Sequence, residues 1–162
     1  GPTEFAPRIP TKQLYEDCYI CGEIDFIFGS ATVLILKTVL CMTLNRNETI
    51  NSYYTAPSTY ENQQYGYVFD SCTFTGNCPP QTCYLSRPWR IHAKVVLLNC
   101  EYSDQVVKDG FHDWNKPEAH DTVYYAEYNG HGPGYCPDKR ASFTHILTDE
   151  EAAMYKKEYI LK

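Results

Sequence analysis

The sequence predicts an all-β solenoid, a parallel β-helix followed by a short C-terminal helix, and three observations predict it. First, residues 15–20, 39–42, 68–74 and 97–102 share one pattern, a short apolar strand with a cysteine at or near its end: Cys18, Cys41, Cys72 and Cys100. These cysteines stand 23, 31 and 28 residues apart, a loose period of the kind that stacked coils produce. Second, the strands are rich in Val, Ile, Tyr, Phe and Thr and are broken by Gly, Asn, Asp and Pro, which favours β coils over helical pairs. Third, Thr148-Asp-Glu-Glu151 is a capping box, and the lysines at 156 and 157 suit a helix C-terminus. A β-sandwich with four cysteines buried by chance is the competing fold.

Each element has a reason. Residues 1–11 are proline-rich and form an atypical N-terminal segment. The repeated strands place Cys18, Cys41, Cys72 and Cys100 inward, where a small apolar residue stacks in ladders without cross-linking. Beyond Gly134 the pattern changes, and the helix beginning at Thr148 is expected to present Ala152, Met154 and Tyr155 across the last coil, which a solenoid must cover.

Composition excludes several functions. With 14 Lys+Arg against 20 Asp+Glu the net charge is −6, and no basic run offers nucleic acid a footprint. The longest apolar stretch, residues 31–40, is interrupted by Thr32, Lys37 and Thr38, far short of a membrane span. The start at Gly1-Pro2 has no initiator Met and no signal-like apolar region, so it reads as processed, truncated or tagged, and localisation is not written in it. Eight cysteines in 162 residues are too sparse for a small disulfide scaffold. Cys78-Pro-Pro-Gln-Thr-Cys83 spans a turn as a disulfide or as free thiols, since zinc would need two more ligands at matching spacing. The five histidines show no ligand spacing and fit surface loops.

Two segments carry chemistry. In Gly22-Glu-Ile-Asp25-Phe-Ile-Phe-Gly29 a carboxylate sits among Ile24, Phe26 and Phe28, which demands a compensating cation and fits a strand face better than a loose turn. In Tyr84-Leu-Ser-Arg87-Pro-Trp89-Arg90, Pro88 stiffens the backbone between a guanidinium that can clasp a carboxylate and an indole that offers a flat face to a sugar. Asp25 and Arg87 are therefore expected to form a direct ion pair.

Together with Gly110-Phe-His-Asp-Trp114, Tyr124-Tyr-Ala-Glu-Tyr-Asn129 and Gly132-Pro-Gly134, these strings resemble the pectinesterase (pectin methylesterase) family from about Gln13 onward. Asn115-Lys-Pro-Glu-Ala119 and Leu147-Thr-Asp-Glu-Glu-Ala152 look most like bacterial members. The resemblance implies a right-handed parallel β-helix that hydrolyses methyl esters of galacturonate units in pectin, extracellularly, with no metal and no organic cofactor. It implies Asp25 as the nucleophile, Arg87 as the group that holds it, and Trp89 and Phe111 as aromatic contacts of the substrate groove. A net negative charge suits neutral methylated pectin and aids release of the acidic product.

The pattern departs upstream. The family's second acid lies in a Gln-Asp pair, where this chain has Thr3-Glu4, so Glu4 is the substitute acid to test, and a further family Gln one coil earlier has no counterpart. Residues 1–162 thus read as one domain lacking its first coils, with an open N-terminal end that residues 1–11 fold over or another chain pairs with. Ser86 stands where the family has Gly, and Phe111 where it has Trp; Trp114 is retained, with a packing role at least as natural as a ligand role. A catalytically inactive polysaccharide-binding or structural β-helix is the alternative function, and the same aromatic groove serves both.

Overall fold

The computed structural model describes residues 11–43 and 52–162. The first coil contains β1 (Lys12–Glu16), β2 (Tyr19–Gly22) and β3 (Ile27–Gly29), and the second β4 (Thr32–Leu36), β5 (Val39–Met42) and β6 (Ser52–Pro57). The third holds β7 (Tyr67–Asp70), β8 (Thr73–Gly76) and β9 (Cys83–Ser86); the fourth holds β10 (Lys94–Leu98) and β11 (Glu101–Tyr102). β12 (Tyr124–Tyr128) and β13 (Thr144–Ile146) follow, then two one-turn helices, α1 (Asp149–Ala152) and α2 (Lys157–Ile160). Every ladder is parallel, and the strands stack into three sheets, β1-β4-β7-β10-β12-β13, β2-β5-β8-β11 and β3-β6-β9. This is the parallel β-helix that the sequence predicts, with the right-handed sense that parallel crossovers take.

One residue per coil makes the corner between the first two sheets. Asp17, Lys37, Ser71, Asn99 and Asn129 all have φ between 47° and 58°, the left-handed region, and the first four donate their N–H to the carbonyl of the next coil, as Asp17 does to Leu36. Asn and Asp adopt this conformation most readily because their short polar side chains bond locally. Here they form a rail, with Asn129 Nδ2 donating to Asn99 Oδ1 at 2.8 Å and Asn99 Nδ2 to Asp70 at 3.1 Å.

The corners set the register and so correct the cysteine ladder. Val39, Thr73 and Glu101 donate to the carbonyls of Cys18, Thr38 and Cys72, so the column after each corner reads Cys18, Thr38, Cys72, Cys100. Cys72 and Cys100 are buried within it and Cys18 is half-buried at the open end. Cys41 belongs to a different column: it pairs with Cys21 and alternates with the buried Leu40 and Met42, which turns it outward. All eight thiols are free.

The six-stranded sheet is apolar on both faces. Val33, Ile35, Tyr67, Phe69, Val95, Leu97 and Tyr125 point into the helix core, while Leu34, Val68, Val96, Leu98 and Ala126 form an outward row. Leu147 and Ile160 cover that row, and burying each such aliphatic side chain contributes about 1.5–3 kcal/mol. The C-terminal segment therefore lies along the side of several coils and not over the last one. The capping box forms, with Glu151 N–H donating to Thr148 Oγ1 at 3.2 Å and Thr148 N–H to Glu151 Oε1 at 3.0 Å. The helix ends at Ala152, however, and Met154 is exposed, because Ile160 of the second turn supplies the anchor. At the other end β1 is exposed throughout and its outer edge meets no strand among the described residues; residues 1–10, including the predicted cap, lie outside them.

Candidate active site

Asp25 stands between β2 and β3, in a bend and not on the strand face that its apolar neighbours suggest. Its φ is 50°, and its N–H donates to Tyr53 O at 2.7 Å, so the next coil holds a conformation that a non-glycine residue rarely adopts. The turn is tight because position 22 is glycine: a Cβ there would fall 2.4 Å from Phe26. Phe26 in turn packs edge-on against Tyr54 in the core.

Arg87 follows β9, one coil beyond Tyr53. Its N–H donates to Thr55 O and that of Trp89 to Pro57 O, both at 3.1 Å, so the Arg-Pro-Trp segment continues the ladder with the proline at the position that donates nothing. Arg87 Nε donates to Asp25 Oδ1 at 3.1 Å and Nη2 to Oδ2 at 2.5 Å. This is the expected ion pair, in two-point geometry, with both side chains 20% exposed.

Aromatic rings hold the guanidinium. Its carbon lies 3.9 Å from the ring centres of both Tyr53 and Trp114. Tyr53 stacks on Tyr84 at 5.2 Å, and His112 packs edge-on against both. His112 Nδ1 accepts the Trp114 N–H at 2.8 Å, so Nδ1 carries no proton here. Trp114 and Asn115 both have φ of 56°, and the strained pair is fixed by Asn115 N–H donating to Asp113 and by Asp113 bonding His120 at 2.9 Å. The His120 hydrogen bond holds the Asp113 carboxyl below its ordinary pKa against a smaller opposing effect of burial. Lys116 Nζ donates to Pro88 O and Trp89 O, tying this loop to the Arg-Pro-Trp segment. Burial raises the Tyr53 phenol, with Arg87 opposing and Asp25 adding, so Tyr53 is a neutral hydroxyl beside the carboxylate.

Trp89 is 48% and Phe28 63% exposed, and their rings meet at 5.9 Å to form an open aromatic shelf beside the pair. Phe111 corrects the prediction. It is 1% exposed and stacks on Tyr125 at 4.6 Å, because its bridge to Ser86 directs the ring inward under the site. Ser86 is buried as well, its hydroxyl bonded to Tyr125 OH, so the side chain added at this position stays clear of Arg87. Glu4 lies outside the described residues. Tyr53, His112 and Lys116 were not singled out from sequence; a tyrosine among fifteen carries no signal until the coils stack. Among the described residues no three His, Cys, Asp or Glu side chains converge as a metal site.

The site is thus a carboxylate clasped by arginine beside an exposed aromatic shelf, on the flank of a parallel β-helix. The pectinesterase family model matches residues 8–162, and the chain belongs to that family. Pectinesterase 31 of Arabidopsis thaliana is 35% identical over 147 residues, covering 89% of this chain and 44% of that protein. Carrot pectin methylesterase superposes with a TM-score of 0.84 at 24% identity over 94% of this chain and 50% of that one. The Erwinia chrysanthemi enzyme PemA gives 0.75 at 25% identity over 93% and 51%. The chain thus spans less than half the length of the Arabidopsis relative. The family is established on plant and bacterial members alike, without the bacterial bias that two short strings suggested.

Proposed function

We propose that this protein hydrolyses methyl esters of galacturonate units in pectin, releasing methanol and leaving a carboxylate. The observation that carries this reading is the Asp25–Arg87 pair, a partly desolvated carboxylate aimed by two hydrogen bonds at the edge of an aromatic shelf. Asp25 attacks the ester carbonyl through a lone pair that Arg87 leaves unused, since each carboxylate oxygen can accept more than one hydrogen bond. The C–O bond to the methoxy group breaks, giving an anhydride between Asp25 and the sugar, and methoxide takes a proton from a second carboxyl. That carboxyl then accepts a proton from the water that opens the anhydride and regenerates Asp25. Glu4 is our candidate for this acid and base. Trp89, with Phe28 beside it, offers the sugar ring an apolar face. Pectin as substrate places the protein outside the cell, in the wall where that polymer lies.

The test is methanol release from highly methylated pectin by the folded protein. The reading requires release by the parent chain, its loss in Asp25→Asn, and a strong fall in Glu4→Gln. Unchanged release in Asp25→Asn overturns the nucleophile, and unchanged release in Glu4→Gln removes Glu4 from the mechanism.

A further inference from the structure

We infer that Cys78 and Cys83 form a dithiol site which a small-molecule disulfide, such as oxidised glutathione, converts to an internal disulfide that staples the loop opening onto β9. Cys78 follows β8 and Cys83 is the first residue of β9. One side chain brings them together: Gln105 Oε1 accepts the Cys78 N–H at 3.3 Å, and Gln105 Nε2 lies 3.6 Å from Cys83 Sγ. That amide is itself fixed, because Nε2 also donates to Tyr54 OH at 2.8 Å and to Thr75 O at 3.1 Å. The backbone N–H groups of Thr82 and Cys83 both end on Gln105 O, at 3.0 and 2.8 Å, and Gln81 takes the corner with a φ of 55°. Cys78 Sγ meets Met42 O at 3.5 Å, and the two thiols interact with each other. A short loop with both ends held by Gln105, through its side chain and its backbone carbonyl, keeps the two thiols beside each other with little chain entropy left to lose on closing a disulfide.

Access is unequal. Cys83 is fully buried and Cys78 half-buried, so the oxidant meets Cys78 first. Burial raises both thiols, Cys83 to about 12, while the Cys83 thiol partly offsets the effect at Cys78; exchange is therefore slow at neutral pH and faster in mild alkali. The Cys78 thiolate attacks one sulfur of oxidised glutathione, forming a mixed disulfide and releasing one glutathione thiolate. Cys83 then gives its proton to solvent and attacks Cys78 Sγ, expelling the second glutathione thiolate. Two protein thiols lose two electrons, and one external disulfide gains them.

The staple closes directly before Tyr84, which stacks on Tyr53, and before Arg87, so it acts on the strand that presents the guanidinium. The neighbouring thiols Cys21 and Cys41, register partners in β2 and β5, are the competing pair. The test starts from fully reduced protein incubated with oxidised glutathione in mild alkali, blocked with iodoacetamide and cut with chymotrypsin. We expect the peptide of residues 75–84 two hydrogens lighter and unalkylated, and amide exchange at Tyr84–Ser86 slowed. C83S should instead retain glutathione on Cys78. Recovery of residues 75–84 with both cysteines alkylated, or a cross-link confined to Cys21 and Cys41, overturns the proposal. The parent-protein result decides the matter even where C83S does not fold.

Discussion

Arg87 and Arg140 each hold a carboxylate through Nε and Nη2, yet the molecule uses them differently. The Glu127–Arg140 pair is 1% exposed on both sides. Arg140 spends all five donors: two on Glu127 at 2.8 and 3.1 Å, and three on the carbonyls of Val107, Lys108 and Gly134. Burial, the largest single effect, would lower its pKa, and the hydrogen bonds and charge of Glu127, with smaller contributions from Tyr102 and Cys136, together outweigh it and raise the pKa. Such a pair knits the loops after β11 and β12 to the core and offers a ligand nothing. Asp25–Arg87 is 20% exposed, its guanidinium covered by two rings, and its carboxylate reaches solvent. Saturation of the donor set and full burial leave Glu127–Arg140 a structural pair, whereas Asp25–Arg87 keeps a carboxylate open to solvent, as the proposed nucleophile requires.

The sharpest way to break this comparison is to neutralise each carboxylate. Asp25→Asn should reduce methanol release by at least about 1000-fold while denaturant midpoints stay near the parent value, since the amide can still accept from Arg87. Glu127→Gln should do the reverse: a stability loss of about 3–5 kcal/mol in urea titration, because Arg140 is left as a buried unpaired charge. Replacing both members, Glu127→Leu with Arg140→Met, should recover much of that loss; failure to recover would mean that the three carbonyls tied by Arg140, and not the charge pair, are what hold the loops.

Removing one cover of Arg87 tests a smaller effect. Trp114→Ala should weaken the hold on the guanidinium by about 0.5–2 kcal/mol, read as a rise in KM for methylated pectin and a lower unfolding temperature. The smallest effect is that of pH on the loop carrying Trp114. Asp113 binds its proton less tightly in the folded state than in the unfolded chain, so its contribution is complete above pH about 4 and is lost as pH falls through the lowered folded value. At a partly exposed pair this amounts to less than about 1 kcal/mol, visible as a steeper loss of stability below pH about 4 in the parent than in Asp113→Asn.

The sequence by itself determined the recurrence of short strands, the Asp25 and Arg87 partnership and the aromatic at Trp89, because the signals are local to short strings: strand composition, a carboxylate among apolar residues that needs a cation, an arginine locked by a proline. It also placed the capping box at Thr148 and Glu151, a purely local device. Tertiary structure decided the rest. Whether Phe111 faces a groove or the core depends on its bridge to Ser86, and whether Cys41 stacks with Cys18 or Cys21 depends on register set by left-handed corners at Asp17 and Lys37. Tyr53 and Trp114 reach Arg87 from segments 34 and 27 residues away in sequence. The outward row of Leu34, Val68 and Val96 is hidden in runs that look like ordinary core until the sheet is built. In a solenoid, contacts across coils are fixed by the register in which each strand pairs with its neighbours, and a one-residue slip of that register reverses which face a strand's side chains present.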